Sequence, residues 1–291
     1  MLRRNKVSRS SPEIISHVEE KSVLIPEPSC DFSNMKIWGQ DFSWSDITGG
    51  NLDDSSIVWS DFEGTQMQNT WMRGVECSGG NFTNANLKDS HIKNSLFMDS
   101  HFTAADIRTN YLSSCEFDRC LMRQSRVSSA KETTIFRSCE MEDMIFSEST
   151  MINVVFNSCT GRGIRFNNSK IRYSLFEICN FPKSSFGLSS IQGTSFVDVD
   201  FSSSRFTGSS LDGISVVRSD FSDVDFSNSV ISESSFGMGV YLEGSSFAGA
   251  KLSGVDFWNC DLSGITFDSA TYKDVLWPLD FDPISAGAIE I

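Results

Sequence analysis

Cysteine, histidine and the carboxylates are the residues from which this chain could build a reactive centre. Its 291 residues include eight cysteines and three histidines. A metal site needs such ligands at converging spacings. His17, His91 and His101 have no cysteine-ligand spacing beside them. Cys139, Cys159 and Cys179 recur every 20 residues. If one turn of the chain took that many residues, these thiols would stack about 4.8 Å apart with parallel side chains. Parallel Cβ vectors do not suit a disulfide. Serine is abundant, but histidine is too scarce to activate it as a nucleophile. No phosphate-cradling glycine loop, nucleophile elbow or metalloprotease motif is present. These observations predict a chain that is not an enzyme, with no catalytic residues, no cofactor and no metal. Its thiols are expected to be reduced, which places it in the cytoplasm.

Charge narrows the partners. The formal net charge is −14, and neutralising phosphates requires a basic surface, so no direct nucleic-acid binding is expected. A basic protein partner is compatible with this charge. No apolar run reaches bilayer length, so no transmembrane segment is expected. Arg3, Arg4, Lys6 and Arg9 are not followed by the apolar stretch of a secretory signal peptide.

The elements that would position these residues follow from a five-residue beat. Starting at Phe32, every fifth residue is apolar through Ile37, Phe42, Ile47 and Leu52 to Val127. The beat resumes at Phe136 and runs to Phe236, where only Gly161 lacks an apolar side chain. After a six-residue step to Leu242 it continues to Trp277. Of the 24 phenylalanines, all but Phe281 fall on it. Two residues before each centre the side chain is mostly small, as at Ala85, Ser100, Ala105, Ser184 and Cys260. Seven cysteines occupy this small slot and Cys77 a large one. Neither the helical nor the simple strand period gives a large and a small inward residue in every five. Each pentapeptide is therefore a short extended side followed by a corner, where Gly, Asn, Asp and Ser favour turn geometry.

Segments such as Ala85-Asn86-Leu87-Lys88-Asp89 and Cys260-Asp261-Leu262-Ser263-Gly264 resemble the pentapeptide-repeat family. The resemblance covers residues 30–277. It implies an all-β, right-handed quadrilateral β-helix solenoid with four pentapeptides per coil. At that repeat the rod has about 12 coils and a length of about 60 Å. Residues 1–29 are expected to form a flexible leader or N-terminal cap, and residues 278–291 a short C-terminal cap or tail. If the protein is a bacterial effector, this leader is where a secretion signal is expected.

Departures from the beat are the better guide to function. Between Val127 and Phe136 the step is nine residues, which predicts either a short side centred on Glu132 or an outward bulge. Four tryptophans fall on outward slots in the N-terminal coils. Trp38 follows its centre by one residue and Trp59 by two, which predicts that they lie one above the other. Trp44 and Trp71 fall on adjacent sides. Exposed aromatic rings mark interfaces. Residues 177–277 carry an acidic excess, with Asp200 above Asp220 and with Asp198, Asp212, Asp223 and Asp225 near in sequence. The expected function is a non-catalytic protein–protein interaction scaffold, an effector or regulator. Its partner would be an unknown basic protein, or a second copy meeting it through an end or the aromatic zone. The resemblance also implies an alternative, an acidic DNA mimic that binds and protects a type II topoisomerase. Two continuous acidic files along the rod would favour that alternative.

Overall fold

A computed structural model describes residues 28–291; the expected leader or cap at 1–29 lies almost wholly outside them. The chain winds as a right-handed, four-sided β-helix of about 13 turns, one more than the beat alone suggests. Every strand pairing is parallel and offset by about one coil, as in Ile37↔Ile57, Phe156↔Phe176 and Ile171↔Ile191. One face is a continuous eleven-stranded sheet from Lys36–Trp38 to Ser235–Phe236. The face opposite the Phe62 column carries a nine-stranded sheet from Ser129–Ala130 to Ile289–Glu290.

Corners explain the frequent Asn, Asp and Gly. Ser45 N–H donates to Phe42 O at 3.1 Å, closing a turn whose third residue, Trp44, has φ 59°. The same left-handed conformation recurs at Asn34, Asp54, Asn69, Asn84, Asp99 and Asp223. Residues with short polar side chains adopt it more cheaply than most others.

The centres of the beat are buried in the bore. Phenylalanine rings form columns along the axis, with centroids 4.6 Å apart for Phe156–Phe176 and 5.1 Å for Phe146–Phe166. Columns from opposite walls meet edge to face, as at Phe146–Phe156, the arrangement that ring quadrupoles favour. Gly161 leaves its slot empty, and Ile164 occupies the following small slot with no exposure.

The nine-residue step combines a shortened side with an outward bulge, and the inward centre is Ala130, not Glu132. Glu132 is exposed, and Ala130 takes the inward slot, paired with Met151. A carboxylate among phenylalanines would lose its hydration without gaining a partner. The side ending at Ala130 is therefore shortened, and residues 131–133 bulge outside the wall before Thr134 takes the next small inward slot, a net loss of one residue. Glu132 and Thr133 form the bulge with consecutive positive φ of 54° and 63°. One coil earlier the small slot has also slipped. Thr109, not Asn110, turns inward and donates to Ser90 O at 2.6 Å. The six-residue step after Phe236 is an outward bulge, with Met238 exposed and Gly239 at φ 74°.

Phe281, the phenylalanine off the beat, packs at the C-terminal end of the bore, 5.6 Å from Phe267 and 5.3 Å from Trp277. Ile289–Glu290 then pairs with Thr271–Lys273, so the last residues add a further rung to the wall.

Candidate functional site

The small slot governs the thiols. Cys120, Cys139, Cys159 and Cys179 follow one another on a single inward file. Their carbonyls accept from Glu140, Thr160 and Asn180 of the next coil at 3.0 Å in the first three cases. Cys120 joins the 20-residue series because the short side removes one residue before Cys139. All eight cysteines are unpaired. Burial pushes Cys30 and Cys115 up to about 11, and Cys77 and Cys260 up to about 12. The neighbouring thiols of the file, together with burial, raise Cys120 and Cys159. Among the described residues, no group of three or more His, Cys, Asp or Glu converges as a metal site.

The four N-terminal tryptophans lie on the outer wall, as their slots predict. Trp44 and Trp59 are 71% and 67% exposed, Trp38 46% and Trp71 38%. Each corner ring is backed by a glycine of the next coil. A Cβ on Gly64 would come within 2.5 Å of the Trp44 ring, and one on Gly79 equally close to Trp59. Trp38 aligns with Val58 on the flat wall, whereas Trp59 is the corner residue beyond it, with φ 50°. The two rings thus stand in adjacent files and not one above the other, because the corner's left-handed backbone turns Trp59 out of the strand register.

The sequence reading missed an aromatic ladder on the neighbouring face. Trp71, His91 and Tyr111 stack with centroids 4.0 and 4.1 Å apart, and Arg73 lies 4.8 Å over the Trp71 ring. Arg73 is also paired with Asp53. The available signal was the 20-residue recurrence of outward rings.

The six candidate aspartates do not share one surface. Asp200 and Asp220 do stack in register, each accepting from the backbone N–H two residues on, at 2.8 Å. Asp198 stands at the preceding corner, gripped by both ends of the Arg218 fork at 2.8 and 2.7 Å, which holds its carboxyl below the usual range. Asp212 lies on the opposite face, accepting from Ser232 Oγ at 2.8 Å. Asp223 occupies a different corner, and Asp225 lies on the next face. Burial would raise the Asp225 carboxyl, but the bonds from Ser227 and Thr207 outweigh it and hold it low. Adjacency in sequence misled here, because five residues carry the chain around a corner.

Residues 20 apart share a surface, and residues five apart do not. The file that begins Asp41, Asp61, Asn81, His101 continues through Leu121, Glu140, Thr160 and Asn180 to Asp200 and Asp220. Its acidic character is interrupted in the middle. The next face runs Asp46, Gln66, Asn86, Asp106, Arg126, Ile145, Arg165 and on to Arg205 and Asp225, mixing both signs.

Comparison with known proteins agrees with the coil geometry. The family profile described as Pentapeptide repeats matches in eight copies, within residues 60–97, 200–237 and 239–270. The chain is a pentapeptide-repeat protein. No curated protein sequence matches it. Among solved structures it is similar to HetL, a pentapeptide-repeat protein involved in heterocyst differentiation regulation in the cyanobacterium Nostoc. That alignment has 10% identity and a TM-score of 0.42 over 84% of this chain and 91% of HetL. It is also similar to QnrB1, a plasmid-mediated fluoroquinolone resistance protein, at 18% identity. There the TM-score is 0.26 over 78% of this chain and 89% of QnrB1.

Proposed function

We propose that this pentapeptide-repeat protein is a non-catalytic interaction scaffold that receives a basic protein partner on its two neighbouring N-terminal aromatic corners. The observation that carries this reading is the exposure of Trp59 beside Trp38 on consecutive coils, with Trp44 exposed at the next corner. Indole rings are large, amphipathic anchors whose burial dominates many interfaces. Here each corner ring is held from behind by a glycine, so part of the ordering cost of binding is already met by the fold. Asp61 and Glu63 lie on the face between the two corners and form an acidic rim that suits a basic partner. The eight unpaired thiols suit the reducing cytoplasm.

The interrupted acidic files give no specific support to the DNA-mimic reading. The test is the Trp44→Ala/Trp59→Ala variant, with both proteins used as bait in cell extract and the captured protein identified by mass spectrometry. The expected result is a basic protein retained by wild type at least tenfold better than by the variant, with circular dichroism unchanged. Equal retention by both would refute the aromatic corners as the docking site.

A further inference from the structure

The file of buried thiols is used by neither the scaffold reading nor the aromatic corners. Cys120, Cys139, Cys159 and Cys179 adopt one repeated orientation. Their Sγ atoms lie 3.4, 3.2, 3.2 and 3.5 Å from the carbonyls of Phe97, Phe117, Phe136 and Phe156 of the preceding coil. Side chains that repeat in this way repeat at the strand spacing, so successive sulfurs are about 4.8 Å apart. A disulfide, with its bond of about 2 Å, would require the coils to deform. An ion placed in line between two thiolates needs a separation of roughly 4.6 Å, twice a thiolate bond of about 2.3 Å.

We propose that adjacent thiols of this file bind a soft, divalent d10 ion in linear two-coordinate geometry, with mercuric ion as the archetype. The ion forms two sulfur bonds, and each thiol releases its proton, so one ion enters, two protons leave and the product is a neutral dithiolate. Neutrality matters in a bore lined by phenylalanine, where an uncompensated charge is expensive. Thiolates select soft ions over hard ones. The absence of any converging third ligand among the described residues argues against tetrahedral zinc at this file and leaves the two-coordinate geometry intact.

A way in exists at the upper end. Cys179, 3% exposed, lines a shallow depression of about 400 Å³ whose rim carries Asp200, Asp220 and Tyr241 beside the Asp198–Arg218 ion pair. Its acidic side chains concentrate cations at the opening. Passage further along the file requires transient separation of neighbouring coils.

Four thiols in a row make two disjoint pairs, Cys120 with Cys139 and Cys159 with Cys179. That predicts a stoichiometry. Serine is a fitting replacement, since Ser60 and Ser219 already occupy the same file with the same carbonyl contact at 3.5 Å. The reference is a variant in which all four become serine, which accounts for Cys30, Cys77, Cys115 and Cys260. Mercuric chloride is titrated in the presence of a competing monothiol, which leaves as free thiol when its ion passes to the protein, and bound metal is counted. Above that reference, wild type is expected to take two ions. Cys159→Ser is expected to take one ion, and Cys139→Ser/Cys159→Ser none. Silver ion, which would leave a negative charge in the bore, should bind more weakly under the same competitor.

X-ray absorption of the loaded wild-type protein should show two sulfur neighbours at about 2.3 Å. Wild type matching the four-serine reference, the double variant keeping its ions, or silver binding as tightly as mercury would each overturn the proposal. So would a coordination shell of one sulfur or of three.

Discussion

Replacing Gly79 by alanine tests whether the exposed tryptophans are built into the fold or merely tolerated. Gly79 adopts φ +66°, and an added Cβ would sit 2.5 Å from the Trp59 ring. Two costs follow. The left-handed backbone costs an alanine about 1 kcal/mol relative to glycine. The indole must also leave its seat. Trp59 is 67% exposed, so about one third of a ring surface of up to about 250 Å² is covered. At about 25 cal/mol per Å² that contact is worth about 2 kcal/mol. Gly79→Ala should therefore destabilise by about 3 kcal/mol, and Trp59→Ala by about 2 kcal/mol. In the double variant the steric conflict is gone, and only the backbone cost and the lost contact remain, again about 3 kcal/mol. The cycle thus predicts a coupling of about 2 kcal/mol. Urea denaturation followed by circular dichroism measures all four proteins without relying on tryptophan fluorescence. Additive single effects would refute the packing of Trp59 on Gly79.

Two further outcomes are expected. Phe156→Ala should cost about 3–5 kcal/mol, because Phe136, Phe146 and Phe176 are fixed by their own coils and cannot fill the cavity; a loss under 1 kcal/mol in urea denaturation would contradict a close-packed bore. For pH, burial alone would raise the carboxyls of Asp53, Asp106 and Asp225, but hydrogen bonds from Arg73, Arg108 and Ser227 outweigh it and hold them below their ordinary value of 3.8. Their contribution to stability is therefore complete above about pH 4 and is lost as pH falls through the depressed values. The melting temperature should be flat from pH 7 to 5 and fall below pH 4, less steeply in Asp53→Asn; a fall that begins near pH 6 would show that other groups control it.

Much of the fold was legible because a five-residue beat leaves little freedom. Each phenylalanine on it is either inside or the repeat fails, and each corner needs a residue that tolerates positive φ. The departures were less legible, since they are decided by a comparison of costs that periodicity does not contain. Counting forward from Val127 places Glu132 in the bore. Desolvating that carboxylate costs more than shortening one side, so Ala130 moves inward, and Glu132 and Thr133 accept left-handed backbone outside. Phe281 shows the converse, because a residue outside the beat still finds the core when the last coil leaves the bore open.

The functional surface was harder to read for a geometrical reason. In this solenoid, sequence neighbours share a corner, while residues one coil apart share a surface. Asp198, Asp212 and Asp225 look like one acidic cluster along the chain, yet they stand on a corner and two different faces. Trp71, His91 and Tyr111 look isolated along the chain, yet their rings touch. The same rule brings Cys120 into line with Cys139 only after the shortened side is known, since their separation is 19 residues and not 20. A surface on such a rod is therefore set by whichever residue recurs once per coil, and one shortened side changes every alignment across it. Of the files that cross residues 127–136, the inward thiol file keeps its side-chain chemistry unbroken, and the acidic files on the surface do not.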